Sequence, residues 1–340
     1  MEKIEVKNFG PIERVAIQIK DINIFIGTTS SGKSTVAKLI SIFQSEAFES
    51  IITFNEFHSL LADYNIDFTI NKDTAIKYEN EDFVVELKNN RISSNQKQKI
   101  RETTNPIYIP AERLFFSTIS QSIFGLMSSN ISLPKWIIDF GAKFEKARSS
   151  LKKLPVDFLK VAYEYDDRTD YIELPNKSKI KLSQASSGLQ SVIPLLLVIE
   201  YNTGRRKKER DLFIIEEPEL NLYPSSQKEF IEYIISKLKK SGDRLIITTH
   251  SPYLLTTIDN LIQAENIKNL QPGSSKKVNA LVPDSFQINY DKVSCYFFDE
   301  GTGHSTMDDE LRSIGPSNID NVSEKLSLTF ENLLALKYPN

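Results

Sequence analysis

The stretch Gly27-Thr28-Thr29-Ser30-Ser31-Gly32-Lys33-Ser34-Thr35 constrains the fold of this chain more than any other. It fits G-x-x-x-x-G-K-[ST] without a mismatch, follows the apolar run Ile22 to Ile26, and precedes VAKLISIFQSEAF, whose apolar residues recur at helical spacing. Strand, glycine-rich loop and helix in that order make a phosphate cradle. The glycines let backbone N–H groups approach an anion, and the helix N-terminus adds positive potential. The Lys33 ammonium is expected to reach the β- and γ-phosphates of bound ATP, and the Ser34 hydroxyl to ligate Mg2+. A chance Gly/Ser-rich turn has the same composition but no reason to sit between a strand and a helix.

Three further motifs carry weaker signals alone. Leu212 to Ile215 is an apolar strand ending in Glu216-Glu217-Pro218. Such a strand end can set one carboxylate, Glu216, near Mg2+ and the next, Glu217, where it orients an attacking water. A buried strand ending in solvated acids reads equally well. Ser186-Ser187-Gly188-Leu189-Gln190 opens an apolar helix. Free N–H groups there suit an anion, although an ordinary serine N-cap explains the same letters. Ile246-Ile-Thr-Thr-His250-Ser251-Pro252 is a strand ending in one of only three histidines. His250 suits a polar contact to a γ-phosphate, while a lone histidine is more often structural.

A length of 340 residues suggests two domains, or one with insertions. With a formal net charge of -3, bulk charge gives no argument for nucleic acid. One local feature does: Gly204-Arg-Arg-Lys-Lys-Glu-Arg210 is a basic loop, with Lys239 and Lys240 as candidate neighbours, that could touch DNA phosphates. A solvated loop is as good a reading. The single cysteine, Cys295, forbids a disulfide within the chain and fits a reducing compartment. The N-terminus has no signal-like apolar run, and the longest apolar stretch, Val192 to Ile199, falls short of the roughly 20 residues that span a bilayer. A cytoplasmic protein without a membrane partner is expected.

Periodicity predicts strands at Ile4 to Val6, Val15 to Ile19 and Ile22 to Ile26, and antiparallel strands between about Asp67 and Leu87 (DFTI, TAIKYE, FVVEL). NNRISSNQKQK reads as a loop and IYIP as a short strand. Glu112 to about Lys160 reads as helical with a break near LPKW, followed by a hairpin of VAYEYDD and DYIELP. SSGLQSVIPLLLVIEY and SSQKEFIEYIISKLKK read as helices; LFIIEE, RLIITTH and NALVP read as strands; the tail from Met307 ends helically. No repeat and no heptad stretch long enough for a coiled-coil arm is visible.

Taken together and in order, the motifs resemble the ABC-class ATPases of the SMC, RecF and OLD type, from Lys7 to about Leu255. GTTSSGKST resembles their Walker A, SSGLQ a degenerate signature, FIIEEPELNLYP Walker B with its D-loop, and TTHSPYLL the histidine switch. KNFGPI and IYIPAER resemble further segments of the group. The resemblance implies an α/β P-loop NTPase fold (ABC/SMC-head-like), a mixed sheet core with an antiparallel side sheet and a helical insertion. It implies an N-terminal lobe over 1–113, the insertion over 114–160, a C-terminal lobe over 161–290 and a tail over 291–340. Gly27 to Thr35 would bind ATP, Ser34 and Glu216 Mg2+, and Glu217 and His250 would serve hydrolysis. Ser186, Ser187 and Gly188 would contact the γ-phosphate held by a second copy, in an ATP-sandwiched homodimer or higher oligomer. The chain departs from the pattern in having Glu216 where Asp is usual and Tyr223 where many relatives have His; Gln44 is a candidate for the Q-loop glutamine. Asp299-Glu300 and Asp308-Asp309 do not form the acid pattern of a Toprim nuclease and read as surface charge, so no built-in nuclease is expected. The resemblance then implies an ATPase subunit with a separately encoded effector, as in bacterial anti-phage systems. The alternative is a RecF/SMC-like ATPase that clamps DNA during repair. A transporter subunit fits the signature and YIPAER segments worst.

Overall fold

The computed structural model describes residues 2–49, 52–96, 106–119, 133–207, 209–315 and 327–334. The chain opens with a hairpin of β1 (Glu2–Phe9) and β2 (Ile12–Ile19), whose buried residues alternate with exposed ones as one-sided strands require. β3 (Ile22–Gly27) is buried along most of its length and feeds α1 (Lys33–Phe43). α2 (Phe54–Asp63) starts at a Thr53/Glu56 capping box. β4 (Ala75–Glu79), β5 (Phe83–Lys88) and β6 (Arg91–Gln96) extend the sheet beyond β1.

β6 lies inside NNRISSNQKQK, which the sequence presents as a loop. Asn89 and Asn90 both take positive φ (51° and 57°), turning the chain back so that β6 pairs with β5. An edge strand can be polar because it buries little. DFTI, conversely, is not a strand; Phe68 packs edge-on against Phe9 instead of joining a ladder.

β7 (Pro106–Ile109) leads to α3 (Leu114–Ile119) and α4 (Lys135–Leu151). The helical stretch expected to about Lys160 therefore ends earlier, and residues 120–132 lie outside the described residues. β8 (Lys153–Val156), β9 (Val161–Asp166), β10 (Thr169–Glu173) and β11 (Lys179–Lys181) form a separate antiparallel sheet. Next come α5 (Ser187–Thr203), β12 (Leu212–Glu216), α6 (Pro224–Ser241), β13 (Arg244–Thr249) and α7 (Pro252–Leu270). α5 is apolar all round and buried from Ser191 to Ile199, as a helix enclosed by other elements must be.

NALVP is not a strand. Its first residues close α8 (Ser275–Leu281). The next sheet strand is β14 (Val293–Asp299), followed by β15 (Thr302–Ser305), β16 (Met307–Asp308) and β17 (Ser313–Ile314). Residues 293–305, within the stretch expected as a tail, thus belong to the main sheet. VSCYFF is buried on both faces between β3 and β15. Residues 327–334 are helical.

The main sheet has eleven strands in the order β6-β5-β4-β1-β2-β15-β14-β3-β13-β12-β7. β14, β3, β13, β12 and β7 run parallel to one another, β15 lies antiparallel to β14 and parallel to β2, and β1, β2, β4, β5 and β6 form an antiparallel wing. This is an α/β fold with a large mixed sheet, helices and a separate antiparallel sheet. The parallel order has a direct consequence: Gly27, Ile109, Glu216, Thr249 and Asp299, each the last residue of its strand, end at one edge of the sheet. Among the described residues no helix is long and apolar enough to cross a membrane.

Candidate functional site

The loop at the end of β3 is built around close backbone approaches. Gly27 has φ 149°, and a Cβ there would sit 1.9 Å from the Phe298 carbonyl oxygen of β14. Gly32 has φ 100°, with Ile12 Cγ1 2.7 Å from where its Cβ would be. Only glycine satisfies both the torsion and the space. β14 also braces the loop: Thr28 N–H donates to Phe298 O at 3.1 Å and Thr28 Oγ1 donates to Asp299 Oδ1 at 3.0 Å. Asp299, which reads from sequence as surface charge, is therefore part of the loop's support.

α1 begins at Gly32 with no side-chain cap and no acid in its first turn. Its leading N–H groups and the positive end of its dipole are thus kept for an outside anion. Lys33 is 5% exposed and curls over the loop, its Nζ 2.6 Å from Thr28 O and 3.1 Å from Gly27 O. Burial pulls the Lys33 ammonium down to about 8, while the Glu217 and Glu219 carboxylates oppose that fall. Ser34 is half-buried beside it and Thr35 buried.

Across the same edge, β12 delivers the acids. Glu216 is 5% exposed and its Oε1 has no hydrogen-bond partner; Glu219 Oε2 and Thr248 Oγ1 are buried and unpaired as well, and the Tyr108 hydroxyl lies beside the Glu216 carboxylate. Burial, then the adjacent Glu216 charge, pushes the Tyr108 hydroxyl well above its ordinary range. Orphaned oxygens at the ends of β12 and β13 are unusual in a folded chain, and they fit a site completed by a cation and an anionic ligand. Glu217 follows at φ 40°, its N–H donating to Thr248 O at 2.9 Å. Its Oε1 lies 3.1 Å from His250 Nε2. The His250 hydrogen bond holds the Glu217 carboxyl below its usual value against the opposing effect of burial, with Lys33 and Arg113 adding smaller pulls.

Two residues of this cluster have no motif of their own. Glu219 Oε1 accepts from Thr249 Oγ1 at 2.6 Å and from the His250 N–H at 2.8 Å, so it fixes the backbone that carries His250. Arg113 is fully buried and reaches the carbonyls of Glu216 and Glu217. IYIPAER and EEPEL contain both residues, but nothing in those letters states their targets.

The SSGLQ turn makes contacts of its own. Ser186 caps α5 by accepting from Leu189 N–H at 3.4 Å, and Ser186 and Ser187 are exposed. Gly188 packs on the segment after Glu217: a Cβ there would lie 2.7 Å from Asn221 O. Gln190 donates to Ala185 O and accepts from Ser117.

One expectation meets a different outcome. Gln44 sits at the far end of α1, about 16 Å along the helix from Lys33, and its amide donates to Glu2. It cannot serve a γ-phosphate from there. In the basic loop, Lys207 pairs with Asp211 and Asp243, Arg205 with Asp211, and Arg210 with Asp21. Lys239 pairs with Asp284. Arg205, Lys207 and Arg210 thus have partners within the chain, at the strand starts opposite the P-loop edge, and Lys208 lies outside the described residues.

Comparison with known proteins gives a family match. The family profile described as AAA ATPase domain matches residues 1–133 and 115–255. ABC transporter G family member 23 of Dictyostelium discoideum is 28% identical over 126 residues; the aligned region spans 37% of this chain and 16% of that protein. Among solved structures, the SMC head domain from Thermotoga maritima aligns over 89% of this chain and 97% of its own, at 13% identity and a TM-score of 0.45. The recombination mediator protein RecF aligns over 89% of this chain and 97% of its own, at 11% identity and a TM-score of 0.43.

Proposed function

This chain belongs to the family of the AAA ATPase domain, and from that premise we propose that it binds Mg-ATP on residues 27–35 and hydrolyses it in a dimer of two identical chains. The observation that carries the reading is the meeting of Lys33, Glu216, Glu217 and His250 on one sheet edge, with the Glu217 carboxylate 3.1 Å from His250 Nε2.

Ser34 and Glu216 would hold Mg2+; the unpaired, buried Glu216 Oε1 suits a cation. Bound there, the ion would neutralise charge on the β- and γ-phosphates. Lys33 exchanges the loop carbonyls for phosphate oxygens. Glu217, ionised because its pKa is held low, accepts a hydrogen bond from the attacking water and orients it. His250 holds Glu217 in place through its Nε2.

The dimer reading rests on Ser186 and Ser187. They head a long buried helix and are exposed. An exposed, positively polarised helix start suits the nucleotide of a second copy. The motif resemblance supports passing the ATP-gated dimer on to a separately encoded effector in bacterial defence. The alternative is a RecF/SMC-like ATPase that clamps DNA; in the 204–210 loop Arg205, Lys207 and Arg210 already have partners within the chain.

The test is Glu217→Gln with radiolabelled ATP and sedimentation velocity. The expected result is retained ATP, turnover reduced by about 100-fold or more, and accumulation of a dimer. Parent-level turnover in that variant would move the water-orienting role elsewhere.

A further inference from the structure

Glu217 is in a conformation that its own chemistry resists. It is a non-glycine residue at φ 40°. It also precedes Pro218, and a residue before proline is driven toward extended backbone. Such a residue persists only where its surroundings over-determine it. Two contacts do so. On the amide side, Glu217 N–H donates to Thr248 O of β13 at 2.9 Å. On the carbonyl side, Arg113 Nη2 donates to Glu217 O at 2.7 Å and Nη1 donates to Glu216 O at 2.6 Å and Pro110 O at 2.8 Å. The fork of one guanidinium therefore spans two successive carbonyls of the strand end.

Arg113 is 0% exposed, and its Nε is buried without a partner. A fully buried guanidinium with an unsatisfied donor is a costly way to support a turn. Its charge also faces the carboxylates of Glu216, Glu217, Glu219 and Glu112 from within the fold.

We propose that Arg113 is the positioning residue of this site: by gripping the carbonyls of Glu216 and Glu217 it fixes the strained peptide that aims the Glu217 carboxylate at His250 and the attacking water. The inference rests on the hydrolytic reading of Glu217 and assigns that reading a support 104 residues away in sequence. Lysine cannot reproduce it, because an ammonium presents no planar fork to two carbonyls.

The experiment compares Arg113→Lys, Arg113→Gln, Glu217→Gln and the double variant R113K/E217Q. It measures kcat, KM, ATP dissociation constant, circular-dichroism melting and deuterium uptake over 213–222. The expected result is a kcat about 100-fold lower in R113K, the size of a misplaced reacting group, with the ATP dissociation constant within about threefold of the parent. R113K should add nothing to E217Q, since both act through one carboxylate. Uptake over 217–222 should rise about tenfold in R113K while the rest of the chain is unchanged. Parent-like kcat, losses that add to E217Q, equal losses in binding and turnover, or failure of both Arg113 variants to fold would each overturn the proposal. If the unaltered chain does not turn over ATP, the hydrolytic reading fails by itself; the deuterium uptake then decides on Arg113, a local rise supporting the grip and unchanged uptake overturning it.

Discussion

His250 and Glu217 end or follow neighbouring parallel strands, and their side chains meet at 3.1 Å, Nε2 to Oε1. The contact depresses the Glu217 pKa, so the carboxylate's contribution to stability is present above its ordinary value of 4.5 and is lost as pH falls through the lowered folded value. His250→Ala removes the leading cause and leaves burial, which acts in the opposite direction, against only the smaller pulls of Lys33 and Arg113. The acid limb of the ATPase pH profile should therefore move to higher pH in H250A, with turnover at neutral pH reduced about tenfold or more. A pH–rate series on both proteins checks this; an unmoved acid limb would show that the contact does not tune Glu217.

Lys33 gives a second pH dependence, of the same sign but at alkaline pH. Its ammonium is depressed to about 8 by burial in the unliganded chain, against an ordinary 10.5. Between those values the folded lysine holds fewer protons than the unfolded one, so stability of the free protein should rise with pH across that window. Phosphates at the loop would restore the ammonium. ATP binding should thus take up a proton near pH 8 and weaken as pH climbs above it, by up to tenfold per unit. Calorimetry in buffers of different ionisation enthalpy measures the uptake. Lys33→Met should bind too weakly to show it.

What could be read from the sequence, and what could not, follows from the range of the contacts. Gly27, Lys33, Glu216, Glu217 and His250 stand at the ends of apolar runs, a local property that composition displays. Arg113, Glu219 and Asp299 act on residues that only the parallel strand order brings beside them: Arg113 on Glu217, Asp299 on Thr28 across 271 positions. No spacing rule announces such pairs. β14 was hidden for a related reason. VSCYFF is a short apolar run that burial on both faces explains, whereas NALVP has similar letters and finishes a helix.

The basic loop is expected to act on stability and not on nucleic acid. Lys207 Nζ lies 2.6 Å from Asp211 and 2.7 Å from Asp243, the latter side chain fully buried. Lys207→Ala would leave the Asp243 charge buried without its cation, costing about 3 kcal/mol. Thermal melting should show a clear loss, and DNA affinity by fluorescence anisotropy should be unchanged. A weakened, less salt-dependent DNA complex with an unaltered melt would reverse this reading.

Gly27 and Gly188 separate folding of the loop from communication between copies. Alanine at Gly27 would put a Cβ 1.9 Å from Phe298 O at φ 149°, so β14 or the loop must shift. The expected cost is about 3 kcal/mol, seen as a lower melting temperature together with weak ATP binding. Alanine at Gly188 meets Asn221 O at 2.7 Å, with no positive φ to add strain. That contact lies on the segment after Glu217 and at the start of the exposed serine turn, away from Lys33. G188A should therefore keep its ATP dissociation constant within about threefold while turnover falls about tenfold. In sedimentation velocity with ATP, G188A/E217Q should remain monomeric where E217Q alone forms a dimer. A dimer of undiminished strength in the double variant would remove Ser186 to Gly188 from the interface and leave hydrolysis to be explained within one chain.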